Sequence, residues 1–347
     1  MKLLTILVAI SSTGYSLLLP NLLGPHAVGT VRLELIDRSR LDPLATNRSF
    51  RDLMVSVFYP TTDQTPTLFA NSFTPLYSSF LDTRLSLTPG VAGSIVSRAR
   101  EAAKLKSSSS CPPILLFSPN YQGSRVEFTA TLSSMASLGY IVIGVDHPYD
   151  TSFVDYPDGR TIYGLQAAPV NASQAAQLVS IRVADMSFVL DTLAKNKTWT
   201  KQIPGLHGLL GISRVGIFGH ELGGATAAAT MLVDLRFACG LTVDGSLYGP
   251  VVDKGLKRPF KLFAAEGHNR STDTSWSKFW AASKTQKEEV SVNGSTTASF
   301  ADSSFIYEKL KGQGVPDFGD IFGTISGTEA LLILSIQLRE FFGRCLT

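Results

Sequence analysis

Apolar and polar positions change period several times along the 347-residue chain, and those changes outline its elements. The stretches "VRLELIDRS" (31–39) and "DLMVSVFYP" (52–60) alternate or run apolar and end at turn-type residues, which predicts an antiparallel pair of strands. "PILLFSP" (113–119) and "YIVIGVDHP" (140–148) are short continuous apolar runs, the pattern of strands buried on both faces. Between them the helical pattern "EFTATLSSMASLG" closes on Gly139. A long helix is predicted over 172–195, followed by strand "RVGIFG" (214–219) and a helix from Leu222. Strands "GLTVDG" and "FKLFAAEG", helix "WSKFWAAS", strand "EEVSVNG" and a C-terminal helix from about Thr328 complete the series. Strands alternating with helices imply a mostly parallel sheet with right-handed crossovers. Residues 61–110 break the rhythm: they are aromatic and Ser/Thr/Pro-rich, with a helix expected in "GSIVSRAREAAKLK" (93–106), and read as a surface insertion or lid. No repeat, linker or second domain is visible, so 17–347 reads as one domain.

The N-terminus changes the picture of where the chain goes. Lys2 precedes the apolar run "LLTILVAI" and the small residues "SSTGYS", the form of a signal peptide over 1–16 with cleavage between Gly14 and Ser16. The run is too short to span a bilayer, and no transmembrane segment is expected. Asn47, Asn171, Asn196, Asn269 and Asn293 each open an Asn-X-Ser/Thr glycosylation sequon, where chance gives about one or two. Together these predict entry into the secretory pathway, to the outside of the cell or to a lumenal or vesicular compartment. Cys111, Cys239 and Cys345 allow at most one internal bridge and leave one thiol over. No Cys/His cluster has metal-ligand spacing, so neither a metal nor a cofactor is expected. A net charge of +3 without Lys/Arg blocks gives no basis for nucleic-acid binding, and nothing specifies an oligomeric state.

One turn carries the chemistry. "FGHELGGAT" (218–226) follows an apolar strand and enters an Ala-rich helix, the strand–turn–helix form of the nucleophile elbow of α/β-hydrolases. Small residues flank the elbow because the turn is strained and the helix packs close to the strand. The middle position is normally a serine; here it is Glu221.

Beyond this turn the chain resembles the platelet-activating-factor acetylhydrolase-like α/β-hydrolases, especially secreted fungal members. The likeness covers most of the chain after the leader. It rests on "VRLELIDRSRLDP", "RDLMVSVFYP", "LLFSP" with "GSR" after it, "LGYIVIGVDHPYD" with "YPDG" after it, "FGHELGGAT" and "CGLTVDG". The resemblance implies an ester-cleaving Ser-Asp-His triad and an oxyanion-binding loop after "LLFSP". Carried over by position, the serine falls on Glu221, the acid on Asp244, and the histidine on Thr297 within "NGSTTASFAD". No histidine follows His268. The oxyanion loop, glycine-rich in the family, reads Asn120, Tyr121, Gln122 before Gly123, with larger side chains to refill the space beside the elbow.

These departures argue against the usual acyl-enzyme, which needs a hydroxyl nucleophile and an imidazole base; losing a triad member costs about 10⁴-fold. A carboxylate suits a strained sp³ carbon such as an epoxide. Water or an internal hydroxyl then attacks while one carboxyl accepts a proton and another donates one. Glu221 and Asp244 are the expected pair, close enough that one is pushed up and stays an acid. The best reading is epoxide opening on an apolar or lipid-like small molecule, by hydrolysis or cyclic-ether formation, as in fungal polyketide pathways. The alternatives are an inactive lipid- or polyketide-binding protein and a residual phospholipid or ester hydrolase. His147, His268, Tyr121, Gln122 and Leu222 are further candidates for catalysis or substrate positioning, with Glu266 beside His268. His220 is read as packed or bonded to backbone. Asp146 and Asp150 read as turn caps, and Arg182 with Asp185 as an ion pair on a helix face.

Overall fold

The computed structural model describes residues 16–346 apart from 64–68, 108–111, 166–168, 170, 196, 207, 209 and 314. The leader apart from residue 16, Cys111 and the sequon residue Asn196 therefore lie outside the described residues.

The N-terminal part is mixed, with parallel and antiparallel pairs. β1 (Leu17–Leu18), β2 (Ala27–Leu41), β3 (Phe50–Thr61) and β4 (Phe69–Asn71) lead to α1 (Pro75–Arg84) and β5 (Ile95–Glu101). β2 and β3 pair antiparallel in register from Ala27↔Thr61 to Asp37↔Arg51, as their alternation predicts. Then come β6 (Ile114–Ser118), α2 (Thr129–Ser137), β7 (Ile141–Val145), the small hairpin β8 (Phe153–Asp155) and β9 (Thr161–Tyr163), and the long α3 (Ala172–Lys195). After α4 (Lys197–Thr200) the chain alternates through β10 (Val215–His220), α5 (Leu222–Val233), β11 (Phe237–Val243), α6 (Val251–Lys254), β12 (Phe260–Ala265), α7 (Thr274–Ala282) and β13 (Lys287–Val292). It closes with α8 (Asp302–Leu310) and α9 (Gly327–Cys345).

The main sheet has eleven strands in the order β1-β5-β2-β3-β7-β6-β10-β11-β12-β13, with β4 paired to β5 off that path. On the N-terminal side β2–β3, β3–β7 and β4–β5 are antiparallel, and β1–β5 and β2–β5 are parallel. From β7 to β13 all neighbours are parallel. Every residue of β6, β7, β10 and β12 is buried, which is why these strands are continuous apolar runs rather than alternating ones. One face is covered by α3, α5 and α7, with Met186, Ala225, Ala228 and Trp276 in the core. The other is covered by α2 and α9 through Leu132, Met135, Leu338 and Phe342. The architecture is the expected α/β one.

One expectation fails. The segment 93–106 holds no helix over Ile95–Glu101 but strand β5, inserted between β1 and β2. Its Ala, Arg and Glu favour a helix locally, yet Ile95, Ser97 and Ala99 are buried while Val96, Arg98 and Arg100 are less so, a period of two set by the sheet edge. Residues 61–110 are thus split: β4 and β5 widen the sheet, and α1 with the turn after it stands over a cavity.

Cys239 in β11 and Cys345 at the end of α9 form a disulfide with Cα atoms 6.3 Å apart and a sequence separation of 106. Closing so long a loop restricts the unfolded chain. Cys345→Ser is expected to lower the unfolding free energy by about 2–4 kcal/mol in urea denaturation; an unchanged midpoint would show that packing of α9 alone holds this end.

Candidate active site

β10, β11 and β12 end side by side, and their C-terminal ends build the site. Glu221 sits between β10 and α5 with φ 48° and ψ −115°, a conformation L-residues avoid. The surroundings impose it. Glu221 N–H donates to Val243 O at 2.9 Å, and its carbonyl accepts from Gly224 N at 2.8 Å. Gly223 lies against the Ser118 carbonyl and Gly224 against the Thr242 side chain, too close for any Cβ. The Glu221 side chain is half-buried and makes no hydrogen bond or ion pair among the described residues.

Asp244 directly follows β11, also at positive φ (56°). Its Oδ1 accepts from Ala265 N at 2.8 Å and from His268 Nδ1 at 2.7 Å; its Oδ2 accepts from the Thr297 hydroxyl. So Thr297, where the resemblance would place a histidine, touches the acid, and an imidazole reaches the same acid from another loop. His268 is further fixed by stacking on Trp276, with centroids 4.1 Å apart, while the Trp276 indole donates to Gly245 O at 2.8 Å. The second nitrogen of His268, Nε2, is 3.0 Å from Asp273 Oδ2. Asp273 meanwhile caps α7 through the Ser275 and Trp276 N–H groups and accepts from Ser246 Oγ at 2.6 Å.

Both partners of His268 are carboxylates, which only accept, so both ring nitrogens carry protons. Burial alone would lower its pKa, but the hydrogen bonds and charges of Asp244 and Asp273 outweigh that and raise it to about 9. Burial would likewise raise Asp244, yet bonds from His268, Thr297 and Ala265 N hold it below its ordinary value. The expected pairing of Glu221 with a protonated Asp244 is therefore corrected on the Asp244 side: three donors keep that carboxyl ionised, and the proton sits on His268. Asp244, His268, Asp273, Tyr248 and Thr297 line an open cleft of about 860 Å³.

A second, apolar cavity of about 390 Å³ lies under α1, walled by Phe73, Leu81, Ile306 and Phe322. Tyr121 and Gln122 stand in its wall and reach across to the Leu165 carbonyl, at 3.4 Å and 3.0 Å. The side chain of Leu222 belongs to the core, leaving its main-chain N–H, in the first turn of α5, as the group it offers. His220 donates from Nε2 to Thr297 O at 2.9 Å and borders the apolar cavity.

His147 is not in either cavity. It is fully buried, with Nδ1 2.8 Å from Asp185 Oδ2 and Nε2 2.9 Å from Ser118 Oγ. Burial, then Arg182, pushes it down to about 4, so it is neutral and accepts from the Ser118 hydroxyl. This Ser–His–Asp order has triad geometry but no access to substrate. Arg182 and Asp185 are not paired with each other. Arg182 binds Asp150 and the Pro119 and Asn120 carbonyls; Asp185 binds Arg51 and His147. Asp146 is an ion-pair partner of Arg125, beyond a turn cap. Glu266 is exposed and accepts from Gly294 N at 2.8 Å. The sequence reading missed Asp273, whose only signal is an N-cap aspartate before "TSWSKF", and the buried Ser118, for which no local signal exists. Of the sequons, Asn47, Asn171 and Asn293 are exposed and Asn269 is half-buried.

The family model for platelet-activating factor acetylhydrolase, isoform II, matches residues 11–157 and 189–333. The chain belongs to this family. A probable 1-alkyl-2-acetylglycerophosphocholine esterase of Arthroderma benhamiae is 30% identical over 96% of this chain and 89% of its own length. The platelet-activating factor acetylhydrolase of Gallus gallus is 23% identical over 89% of this chain and 79% of its own length. A solved ferulic acid esterase from Streptomyces cinnamoneus superposes with a TM-score of 0.81 at 26% identity, covering 95% of this chain and 93% of its own. At that level the acetylhydrolase-family chain is a hydrolase with the α/β-hydrolase fold, and the relatives are named for ester hydrolysis.

Asp273→Asn keeps the helix cap but removes one of the two charges on His268. In an NMR titration the His268 pKa is expected to fall from about 9 toward its ordinary value near 6.5. A pKa raised by folding stabilises below about 6.5 and is lost as pH rises through about 9. The wild type should therefore lose more stability than Asp273→Asn between those pH values; equal losses would show that Asp273 does not hold the proton.

Proposed function

We propose that this acetylhydrolase-family chain opens an epoxide on an apolar small molecule, with Glu221 as proton acceptor and His268 as proton donor. The observation that carries the reading is the imidazolium on Asp244, at the end of the strand next to the elbow that bears an unpaired carboxylate. Water or an internal hydroxyl attacks the ring carbon and gives its proton to Glu221. The ring C–O bond breaks, and the departing oxygen takes the proton that His268 carries. The proton on Glu221 then returns to His268 through solvent, so the cycle balances. Asp273 is the partner that a reacting oxygen displaces from Nε2. No oxyanion hole is needed, which suits a loop that has lost the family's glycines.

A second reading rests on the same contact. With Nε2 engaged by Asp273 and Thr297 in the family's histidine position, the protein is a binder of lipid-like or polyketide ligands that no longer turns them over. Ester hydrolysis, the activity in the relatives' names, lacks a hydroxyl at the elbow. For cellular location, the leader pattern, the exposed sequons and the disulfide all favour the secretory pathway. A mobility shift of the secreted protein on deglycosylation checks this; unglycosylated protein retained in the cytosol contradicts it.

With a panel of apolar epoxides including styrene oxide, the purified protein is expected to yield diol or cyclised product. Glu221→Gln should lower turnover by about 10²-fold or more. Unchanged turnover in Glu221→Gln, or no product from any epoxide, rejects the acid/base reading. Release of nitrophenol from 4-nitrophenyl acetate, with covalent labelling by a serine-directed phosphonate, would favour the esterase reading instead.

A further inference from the structure

Four sequon asparagines lie among the described residues, and three of them stand beside the same opening. The open cleft of about 860 Å³ has a buried floor, with Asp244 and Ala265, and an exposed rim, with Ala172, Gly267 and Thr272. Asn171 immediately precedes Ala172 at the start of α3. Asn269 lies between His268 and Thr272 in the β12–α7 loop. Asn293 lies in the turn after β13, and its sequon serine, Ser295, is in the cleft wall with Thr296. Three separate segments thus bring a sequon to one mouth. The fourth, Asn47, is in the turn between β2 and β3, and no residue of that turn lines the cleft.

The local geometry leaves these asparagines free to carry a sugar. A glycan is attached to the side-chain nitrogen, Nδ2. Asn171 and Asn293 are exposed. Asn171 caps α3 with its oxygen, which accepts from Gln174 N at 3.0 Å, so the cap survives substitution on nitrogen. Asn269 also uses its oxygen, which accepts from Ser271 N at 2.8 Å and from the Ser271 hydroxyl. Its Nδ2 donates to Gly267 O at 3.4 Å, and Gly267 is a rim residue. A sugar on Asn269 therefore starts at the edge of the cleft. The loop beneath it is firmly held. The Thr272 hydroxyl donates to Gly267 O at 2.9 Å and accepts from Asn269 N at 3.0 Å, while Arg270 pairs with Glu289 and stacks over Trp280.

We propose that glycans on Asn171, Asn269 and Asn293 fence the mouth of this cleft, so that it takes a substrate free in solution and turns away one held in a membrane or a large particle. N-linked glycans are bulky and strongly solvated. Three around one opening bar a broad surface from His268 while leaving gaps for a small molecule. The inference rests on the reading above only in taking this cleft as the place of reaction; it makes no use of the chemistry of Glu221.

The test uses the protein as secreted from a glycosylating host. Glycopeptide mass spectrometry is expected to find sugar on all three asparagines; sugar missing from any one of them in most molecules overturns the three-sided fence. Access is read from broadening of the His268 ring signal in NMR, assigned by its loss in His268→Gln. A free gadolinium chelate should broaden that signal, and the same chelate coupled to a large dextran should broaden it severalfold less. Trimming the sugars with an endoglycosidase should make the two probes alike with no change of sequence. The triple variant Asn171→Gln, Asn269→Gln, Asn293→Gln should do the same, and Asn47→Gln should leave the difference intact. Equal broadening by both probes in the untrimmed protein, or a difference that survives trimming, overturns the proposal: the glycans then serve folding and secretion alone. Shielding without turnover of any epoxide would instead reject the reaction and leave the fence standing.

Discussion

The carboxylate of Asp244 gathers three structural segments onto one group. It receives the main-chain N–H of the last residue of β12, the imidazole from the β12–α7 loop and the hydroxyl from the loop after β13. In the acetylhydrolase-family plan implied by the sequence resemblance, that acid orients a single histidine. Here the acid takes its donors from the His268 imidazole, the Thr297 hydroxyl and the Ala265 N–H. Because a buried carboxylate without partners is expensive, its demand for donors is met by His268, Thr297 and the Ala265 N–H together. The result is a fixed charge arrangement, negative–positive–negative along Asp244, His268 and Asp273, in place of a relay aimed at a nucleophile.

The elbow obeys a different constraint. Its backbone conformation is set by glycines pressed against β6 and β11, not by the identity of the side chain at its tip. This explains how a carboxylate can stand there without collapse of the fold: the turn specifies direction, and the residue decides chemistry. The loop opposite is held as firmly. Arg182 grips the Pro119 and Asn120 carbonyls while Asp150 neutralises it, and the buried Ser118–His147–Asp185 chain lies directly behind. That network is dry and closed, so its triad order serves rigidity.

Much of this was readable from the chain. Periodicity located the parallel strands because those strands are buried on both faces and therefore uniformly apolar. The elbow and Asp244 were legible from short motifs with fixed structural context. β5 was not, because Ala, Arg and Glu favour a helix locally and only pairing with β1, β2 and β4 turns the segment into a strand. The partner of His268 escaped for a related reason. Asp273 looks like an N-cap, which it is, and nothing in the sequence says that its second oxygen faces a histidine five residues earlier. Arg182 and Asp185 show the opposite error: correct spacing for a helix-face pair, but burial sends each to a different partner.

The disulfide has a topological consequence for the site. Cys239 and Cys345 enclose Asp244, His268, Asp273 and Thr297 within one covalent ring, while Glu221, His220 and the 119–123 loop lie outside it. A single peptide-bond cut anywhere between the two cysteines opens the ring without releasing a fragment. The half of the site that carries the proton is thus tethered at both ends to the half that carries the elbow. Under oxidising conditions a protein nicked there stays one molecule, and only cleavage together with reduction separates the two halves.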